Sequence, residues 1–475
     1  MPRVTGVAAL LIGIVAAVVV WRSGLTLTHY DARAHLVVAR RIIDSLTPGW
    51  VQIGAVWLPL PHLLNFIPVQ IDLLYRTGLS AVAFSIASYA AACAALTALV
   101  LERTGSRAAA LAGTSIMALN PNVLYLQATP MTESLLLGLL AWSVLELSRW
   151  AERASVVPSW RPGVLLAAAC LTRYEAWPVC LAALGAACLI RREARSAMQV
   201  AVWPAAAIAG FFVLSRATTG AWFVTGGFYV PDNTATGRPV AAFVQVFWGV
   251  RVLGGLATAT LSSVAAGIVL LWSIASERRR LALIAVALAC AASLPAYAFY
   301  EGHPFRVRYM IPLFAAAGAC VGIAVGWLPR QRVAAACLVL VIVAADAIAT
   351  SRDAAMVSEA QWDVPNSRAR DAVTRCLQQR HDGEPILASM GSLAHYMHET
   401  SNAGFSLKHF LHEGNGDLWM VARYRPRNYV RWVLIEEQAE GGDELAVQAR
   451  THPDYLTGFE RLCEGGGVAL YGAIR

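Results

Sequence analysis

The chain is poor in charge and nearly devoid of lysine. Only 14% of its 475 residues are Asp, Glu, Lys or Arg, and Lys408 is the single lysine. A soluble domain carries about 25% charge, so an ordinary soluble fold is excluded. With 57% apolar residues and a mean hydropathy of +0.53, the sequence reads as an α-helical polytopic membrane protein. Metal-type cysteine spacing is missing. Cys93, Cys170, Cys180, Cys188, Cys290, Cys320 and Cys337 lie in apolar segments, where the thiol acts as a small hydrophobe. Internal repeats are missing, which removes the signature of many transporters. No small-residue cleavage site follows the first apolar run, Val4–Trp21, so that run reads as a retained helix. The +8 net charge is mostly arginine at helix ends, a topology signal and not a nucleic-acid footprint.

Apolar runs long enough to cross a bilayer are Val4–Trp21, Leu79–Leu101, Ala108–Leu124, Ser134–Trp150, Ser196–Leu214, Val244–Ile274, Leu281–Tyr300, Tyr309–Trp327 and Val333–Ala349. The short links Glu102–Arg107, Arg149–Arg161, Arg191–Arg195, Glu277–Arg280 and Pro329–Arg332 are basic and are expected inside. Gly163–Ile190 lies between two of them, so it must enter the membrane and return, with Arg173, Tyr174 and Glu175 near the tip. The expected total is about eleven spans, with the N-terminus cytoplasmic and the C-terminus outside. The expected division is a membrane body over 1–350 and a soluble extracytoplasmic α/β domain over 351–475. The body includes a first outer loop over 23–78 with two interfacial helices. Within the tail, strands are expected at Pro385–Met390, Tyr429–Ile435, Tyr455–Leu462 and Val468–Ile474, with helices at Arg368–Gln379 and Ser392–Glu399. Cys376 and Cys463 are the only cysteines outside the membrane. An oxidising compartment would pair them.

The ionisable residues fall on the outer side. Helical spacing over Asp31–Ser45 puts Asp31 in a first turn, one turn from His35, with Arg33 and Arg40 close by. Glu133, Arg173, Glu175, His303, Arg306 and Arg308 come from other outer segments. Ionisable groups at membrane depth are costly and point to function. Acids and arginines converging on one leaflet suit an anion-handling site with a carboxylate base. Arg306 and Arg308, beside His303 and Tyr309 and together with Arg173, suit a phosphate. Asp31 suits a general base, with Glu133 and Glu175 as further catalytic acids and His35 and His62 in support of the acceptor. Each residue also has a plainer reading. Arg173 and Glu175 would neutralise each other at a hairpin tip. Glu133 would open a helix after Thr132. Arg306 and Arg308 would anchor at headgroups, and His35 and His62 would be satisfied structural histidines. The pairs His395/His398 and His409/His412 have i, i+3 spacing but no matching acid cluster.

In order along the chain come HYDARAH after the first run, then WLPLPHLL, NPNVLYLQATPMTES, TRYEAWP and HPFRVRYMIP. Together these motifs resemble the GT-C superfamily of polyprenyl-phosphate-sugar glycosyltransferases. The resemblance is to the branch with lipid A aminoarabinose transferases and protein O-mannosyltransferases, and it covers about residues 1–350. It implies that Asp31 is the base and that the basic late-loop residues Arg306 and Arg308, beside His303 and Tyr309, bind the donor phosphate. It further implies that Glu133 and Glu175 share their cavity. The expected partners are a polyprenyl-phosphate sugar, a glycan, lipid or protein acceptor, and the bilayer of a bacterial inner membrane. At the key point after the first run the loop carries a lone Asp31 and not an Asp-Glu pair. That departure speaks against a mannosyltransferase-type acceptor and against an obligatory metal; no cofactor is required, and a divalent metal is admissible but not indicated. Two rival readings are a lipid-linked-sugar flippase and a non-catalytic membrane binding protein. The first predicts charges through the midplane and paired broken helices. The second leaves the converging charges unexplained.

Overall fold

The computed structural model describes residues 1–54, 56–152, 156–224, 233–439 and 442–474. It divides into two compact units. The first comprises Met1–Ser23, Val82–Phe211 and Val230–Ser358. The second comprises Gly24–Ala81, Phe212–Tyr229 and Glu359–Arg475.

The first unit is helical. Among the described residues of the chain, eight helices are long and apolar enough to cross a membrane. They include Pro2–Arg22, Leu79–Thr104, Glu133–Ala151, Leu256–Ala275, Val307–Gly326 and an apolar stretch beginning at Arg332. Ala176–Arg191 and Pro239–Gly254 are apolar but shorter. The hairpin is formed by Trp160–Cys170 and Ala176–Arg191, with Arg173 to Glu175 at its turn. Small residues let helices approach closely. A Cβ on Gly113 would lie 2.3 Å from the Gly318 carbonyl oxygen, which ties Arg107–Ala118 against Leu313–Gly326.

Two expected spans are interrupted. Val244–Ile274 is not one helix but two, Pro239–Gly254 and Leu256–Ala275, broken at Gly255. Gly255 has φ +85°, and a Cβ there would meet the Asp346 carboxylate at 2.3 Å, so only glycine fits. Ala108–Leu124 likewise breaks before Asn120, whose side chain caps the short helix Pro121–Leu126. The side-chain amides of Asn120 and Asn122 both donate to the Leu253 carbonyl at 2.9 Å, joining the two breaks.

The basic links meet as a connected set at one end of this unit. Arg149 pairs with Glu102 and Glu146 at 2.6 Å, and Arg103 pairs with Glu152. Arg191 donates to the Trp150 carbonyl at 2.6 Å, and Arg192 pairs with Glu277 at 3.0 Å. Arg279 stacks on Trp272 and Trp327 at 4.4 and 4.8 Å.

Among the described residues, the second unit is built on a five-stranded sheet of order β2-β1-β3-β5-β4. The strands are β1 Ile386–Ala388, β2 Phe410–Leu411, β3 Trp432–Glu436, β4 Phe459–Gly465 and β5 Val468–Ala473. β1 pairs in parallel with β2 and β3, and β5 is antiparallel to β3 and β4. Period-2 alternation splits β3 between two cores. Trp432 and Leu434 face one, with Leu36, Val37, Tyr396 and Met397. Val433 and Ile435 face the other, with Trp419 and Leu445. The first-loop helix Tyr30–Arg40 is thus part of the same core as the tail helix Met390–Thr400. The helical spacing seen to Ser45 ends early. The helix stops at Arg40, and turns follow, closed by Asp44 N–H to Arg40 O at 3.0 Å and Gly49 N–H to Ile42 O at 2.9 Å. Cys376 and Cys463 form a disulfide.

Candidate active site

Arg173 organises the polar cluster of the helical unit. Its Nη1 donates to Glu133 Oε1 at 2.9 Å and to Thr132 Oγ1 at 3.1 Å. Its Nη2 and Nε both donate to Glu175 Oε1, at 2.8 and 3.1 Å. Glu133 is fully buried and Glu175 is 3% exposed. Buried carboxylates need such partners. Glu133 Oε2 is left without a hydrogen-bond partner among the described residues. Arg173 is therefore more than a partner for Glu175 at a hairpin tip, because it joins that turn to the start of helix Glu133–Ala151.

The late loop reaches the same cluster. The Tyr309 ring lies under Arg173 at 6.0 Å and under Arg308 at 5.7 Å. Tyr309 Oη is 3.4 Å from His303 Nε2, and His303 Nδ1 is 2.8 Å from the Pro304 carbonyl. Arg306 is half-buried at the N-cap of the turn Val307–Met310. Glu133, Arg173, Glu175, His303, Arg308 and Tyr309 are thus brought together from segments over 170 residues apart.

The second unit holds the remaining predicted residues. Asp31 is 7% exposed in the first turn of Tyr30–Arg40. His35 Nδ1 and His62 Nε2 are 3.1 Å apart, and Trp57 packs on His35 with ring centroids 4.1 Å apart. Burial, aided by the charge of Arg41, pushes the His62 imidazole down to about 3, so His62 is neutral at pH 7. Arg33 is held by Asp363 at 3.0 Å and by Glu399, and Arg370 pairs with the same two carboxylates. Among the described residues no group of three or more His, Cys, Asp or Glu could hold a metal. The tail histidines are used otherwise. His398 Nε2 lies 3.0 Å from the Tyr75 carbonyl, and His412 Nδ1 accepts the Gly414 N–H at 3.1 Å.

Sequence reading missed three residues here. His29 caps the Asp31 helix. Glu359 faces that histidine at 3.5 Å. Asp346, the single acid inside Val333–Ala349, gave a visible signal that was passed over.

Eight apolar helices of spanning length among the described residues, together with a small mixed-sheet unit, make up a multi-pass membrane protein whose fold is similar to that of solved GT-C structures. The solved structures it is similar to include ArnT from Cupriavidus metallidurans, a lipid A aminoarabinose transferase, in the apo state. That match has a TM-score of 0.62 and 13% identity over 97% of each chain. ArnT bound to undecaprenyl phosphate matches at a TM-score of 0.60 and 12% identity, again over 97% of each chain. The apo oligosaccharyltransferase of Archaeoglobus fulgidus matches at 0.57 and 12% identity, over 94% of this chain and 72% of that one. No protein-family model and no curated protein sequence matches the chain.

Proposed function

We propose that the protein is a membrane glycosyltransferase that moves one sugar from a polyprenyl-phosphate carrier to an acceptor hydroxyl on the extracytoplasmic face. The observation that carries this reading is the buried Glu133–Arg173–Glu175 cluster beside Arg308 and Tyr309, within a fold that matches undecaprenyl-phosphate-bound ArnT over 97% of both chains. The topology follows the arginines. The end with Glu102, Arg149, Arg192 and Arg279 faces the cytoplasm of a bacterial inner membrane, and the tail is outside.

In this reading Asp31 takes the proton of the acceptor hydroxyl while its oxygen attacks the anomeric carbon. The bond from that carbon to the phosphate oxygen breaks, and the sugar passes through an oxocarbenium-like state. A single displacement inverts the anomeric centre. The departing lipid phosphate gains charge, which Arg306 and Arg308 stabilise. Arg173 already directs three nitrogens at Glu133, Thr132 and Glu175. Its part is then to hold the cavity wall and the Tyr309 face, with a weaker field on the phosphate. His303 orients Tyr309, while His35 and His62 support the acceptor side. Protein groups supply the charge stabilisation, and a divalent metal is not invoked.

The test is transfer from radiolabelled polyprenyl-phosphate sugars, offered one at a time to the purified protein with membrane extract, beside Asp31→Asn. Loss of a general base typically costs about 10²–10⁴-fold. Label moving with wild type alone supports the reading. Equal transfer by the variant moves the base elsewhere, and no transfer from any donor by folded protein removes the class.

A further inference from the structure

The residue before the helix that carries Asp31 is a histidine, which is an uncommon helix cap. Ser, Thr, Asp and Asn are the usual choices, because a short side chain reaches the free amides of the first turn. His29 holds that position in extended backbone (φ −68°, ψ 126°) and is fully buried. Its Nδ1 accepts the backbone N–H of Asp31 at 3.1 Å. An imidazole that accepts at Nδ1 carries its proton on Nε2. Nε2 faces Glu359 Oε1 at 3.5 Å, an electrostatic contact rather than a formed hydrogen bond, and that carboxylate is 4% exposed. A serine or asparagine would cap the helix but could not extend to Glu359.

The same turn is gripped a second time. Arg33 Nη2 donates to the Thr28 carbonyl at 3.2 Å and to Asp363 Oδ2 at 3.0 Å, and Arg33 also pairs with Glu399. Residues 28–33 are therefore bounded by acids of the tail at 359, 363 and 399. A carboxylate that fixes an imidazole's tautomer and orientation, with the imidazole aimed at the reacting group, is a familiar catalytic arrangement. Here the imidazole is aimed at the main chain of the residue to be placed.

We propose that His29 and Glu359 are positioning residues for Asp31, with Glu359 orienting the His29 ring and His29 fixing the Asp31 backbone. The proposal rests on the reading of Asp31 as base. It gives the tail a role in catalysis, since Glu359 opens the tail segment of the second unit.

A displacement near 1 Å at a reacting group costs on the order of 10²-fold, and a purely positional defect lowers kcat without raising KM. The experiment measures kcat and KM for the lipid donor in Asp31→Asn, His29→Ala, His29→Asn, Glu359→Gln and His29→Asn/Glu359→Gln. His29→Ala is expected to lower kcat about 10–100-fold with KM within about twofold. His29→Asn, which restores an acceptor for the Asp31 N–H, should recover most of that loss. Glu359→Gln should cost about 3–10-fold alone and nothing further on top of His29→Asn, because the two act in series. Wild-type kcat in His29→Ala, with Asp31→Asn inactive, overturns the positioning while leaving the base reading intact. Equal losses in His29→Ala and His29→Asn, with Glu359→Gln fully additive, also overturn it. An active Asp31→Asn removes the base reading, and the positioning proposal falls with it.

Discussion

Asp346 and Thr258 are 88 residues apart and joined by one charge-assisted bond, in which Asp346 Oδ2 accepts the Thr258 backbone N–H at 2.7 Å. An acid inside an apolar helix is expensive unless it is satisfied. Here it caps the start of Leu256–Ala275, where the free amides and the helix dipole both favour an anion. Asp346→Ala should therefore destabilise the protein by about 1–2 kcal/mol, seen as a lower Tm in detergent. Asp346→Asn should lose less. An unchanged Tm in Asp346→Ala would show that the cap is idle.

Arg173 is shared by two buried carboxylates, so single and double removals should not add. Breaking a buried pair by deleting one partner costs about 3–5 kcal/mol, because a charge is left uncompensated. Arg173→Met should approach that loss. Combining it with Glu133→Gln should cost clearly less than the sum of the two single variants. A double-mutant cycle on thermal or denaturant unfolding gives the coupling directly, and strict additivity would mean that the contact contributes nothing.

What could be read in advance follows from periodicity. The strands at Ile386–Ala388, Trp432–Glu436, Phe459–Gly465 and Val468–Ala473 overlap runs recognisable from their apolar pattern, although Phe459–Gly465 is shifted past the expected end at Leu462. Phe410–Leu411 is two residues long and has no period to detect. The hairpin around Arg173 was legible because two basic links had to lie on one side. The break at Gly255 was not, because hydropathy runs unbroken through it and the determinant is a contact with Asp346. The candidate site was legible as a set of residues expected on one leaflet, but its pairings were not. Arg173 finds Glu133 across 40 residues of chain, and nothing local fixes that choice. His29 was overlooked because a histidine before an acid is an unremarkable pair until its ring is seen to accept the Asp31 amide.

Acid should weaken the second unit. Burial pushes the His62 and His412 imidazoles down to about 3, aided by Arg41, and those of His395 and His398 down to about 4. All four bind fewer protons folded than unfolded, where the value is about 6.5. Their stabilising effect is complete above pH 6.5 and is lost as pH falls from there toward 4 for His395 and His398 and toward 3 for His62 and His412, by at most about 1.4 kcal/mol per pH unit for each proton. For Asp363 and Glu399 burial works upward, but hydrogen bonds from Arg370 and the charges of Arg33 and His395 outweigh it and hold both carboxyls low. Their contribution is lost at still lower pH. Asp443 works the other way. Burial raises it to about 6, so it favours folding as pH drops from 6 to its unfolded value near 4. Burial also raises Glu436 and Glu444, which act in the same sense as Asp443, but the four histidines outnumber these three carboxyls, so Tm should fall between pH 7 and 4.5. His398→Gln should flatten that slope, and a Tm that rises toward pH 4.5 would contradict the balance.

The Cys376–Cys463 bridge closes 87 residues and ties helix Val364–Arg380 to β4. That helix carries Arg370, which binds the Asp363 and Glu399 carboxylates that also hold Arg33. Losing a native disulfide commonly costs about 2–4 kcal/mol, chiefly by freeing the unfolded chain. Cys376→Ser should therefore lower the denaturant midpoint of the second unit, and a thiol reductant should do the same to wild type. The decisive comparison is reductant added to the variant. With the bridge already gone, its midpoint should not move, and peptide mapping without reductant should find a linked pair in wild type only. A reductant effect of equal size in both proteins would place the sensitivity at another cysteine, although the remaining cysteines are free thiols.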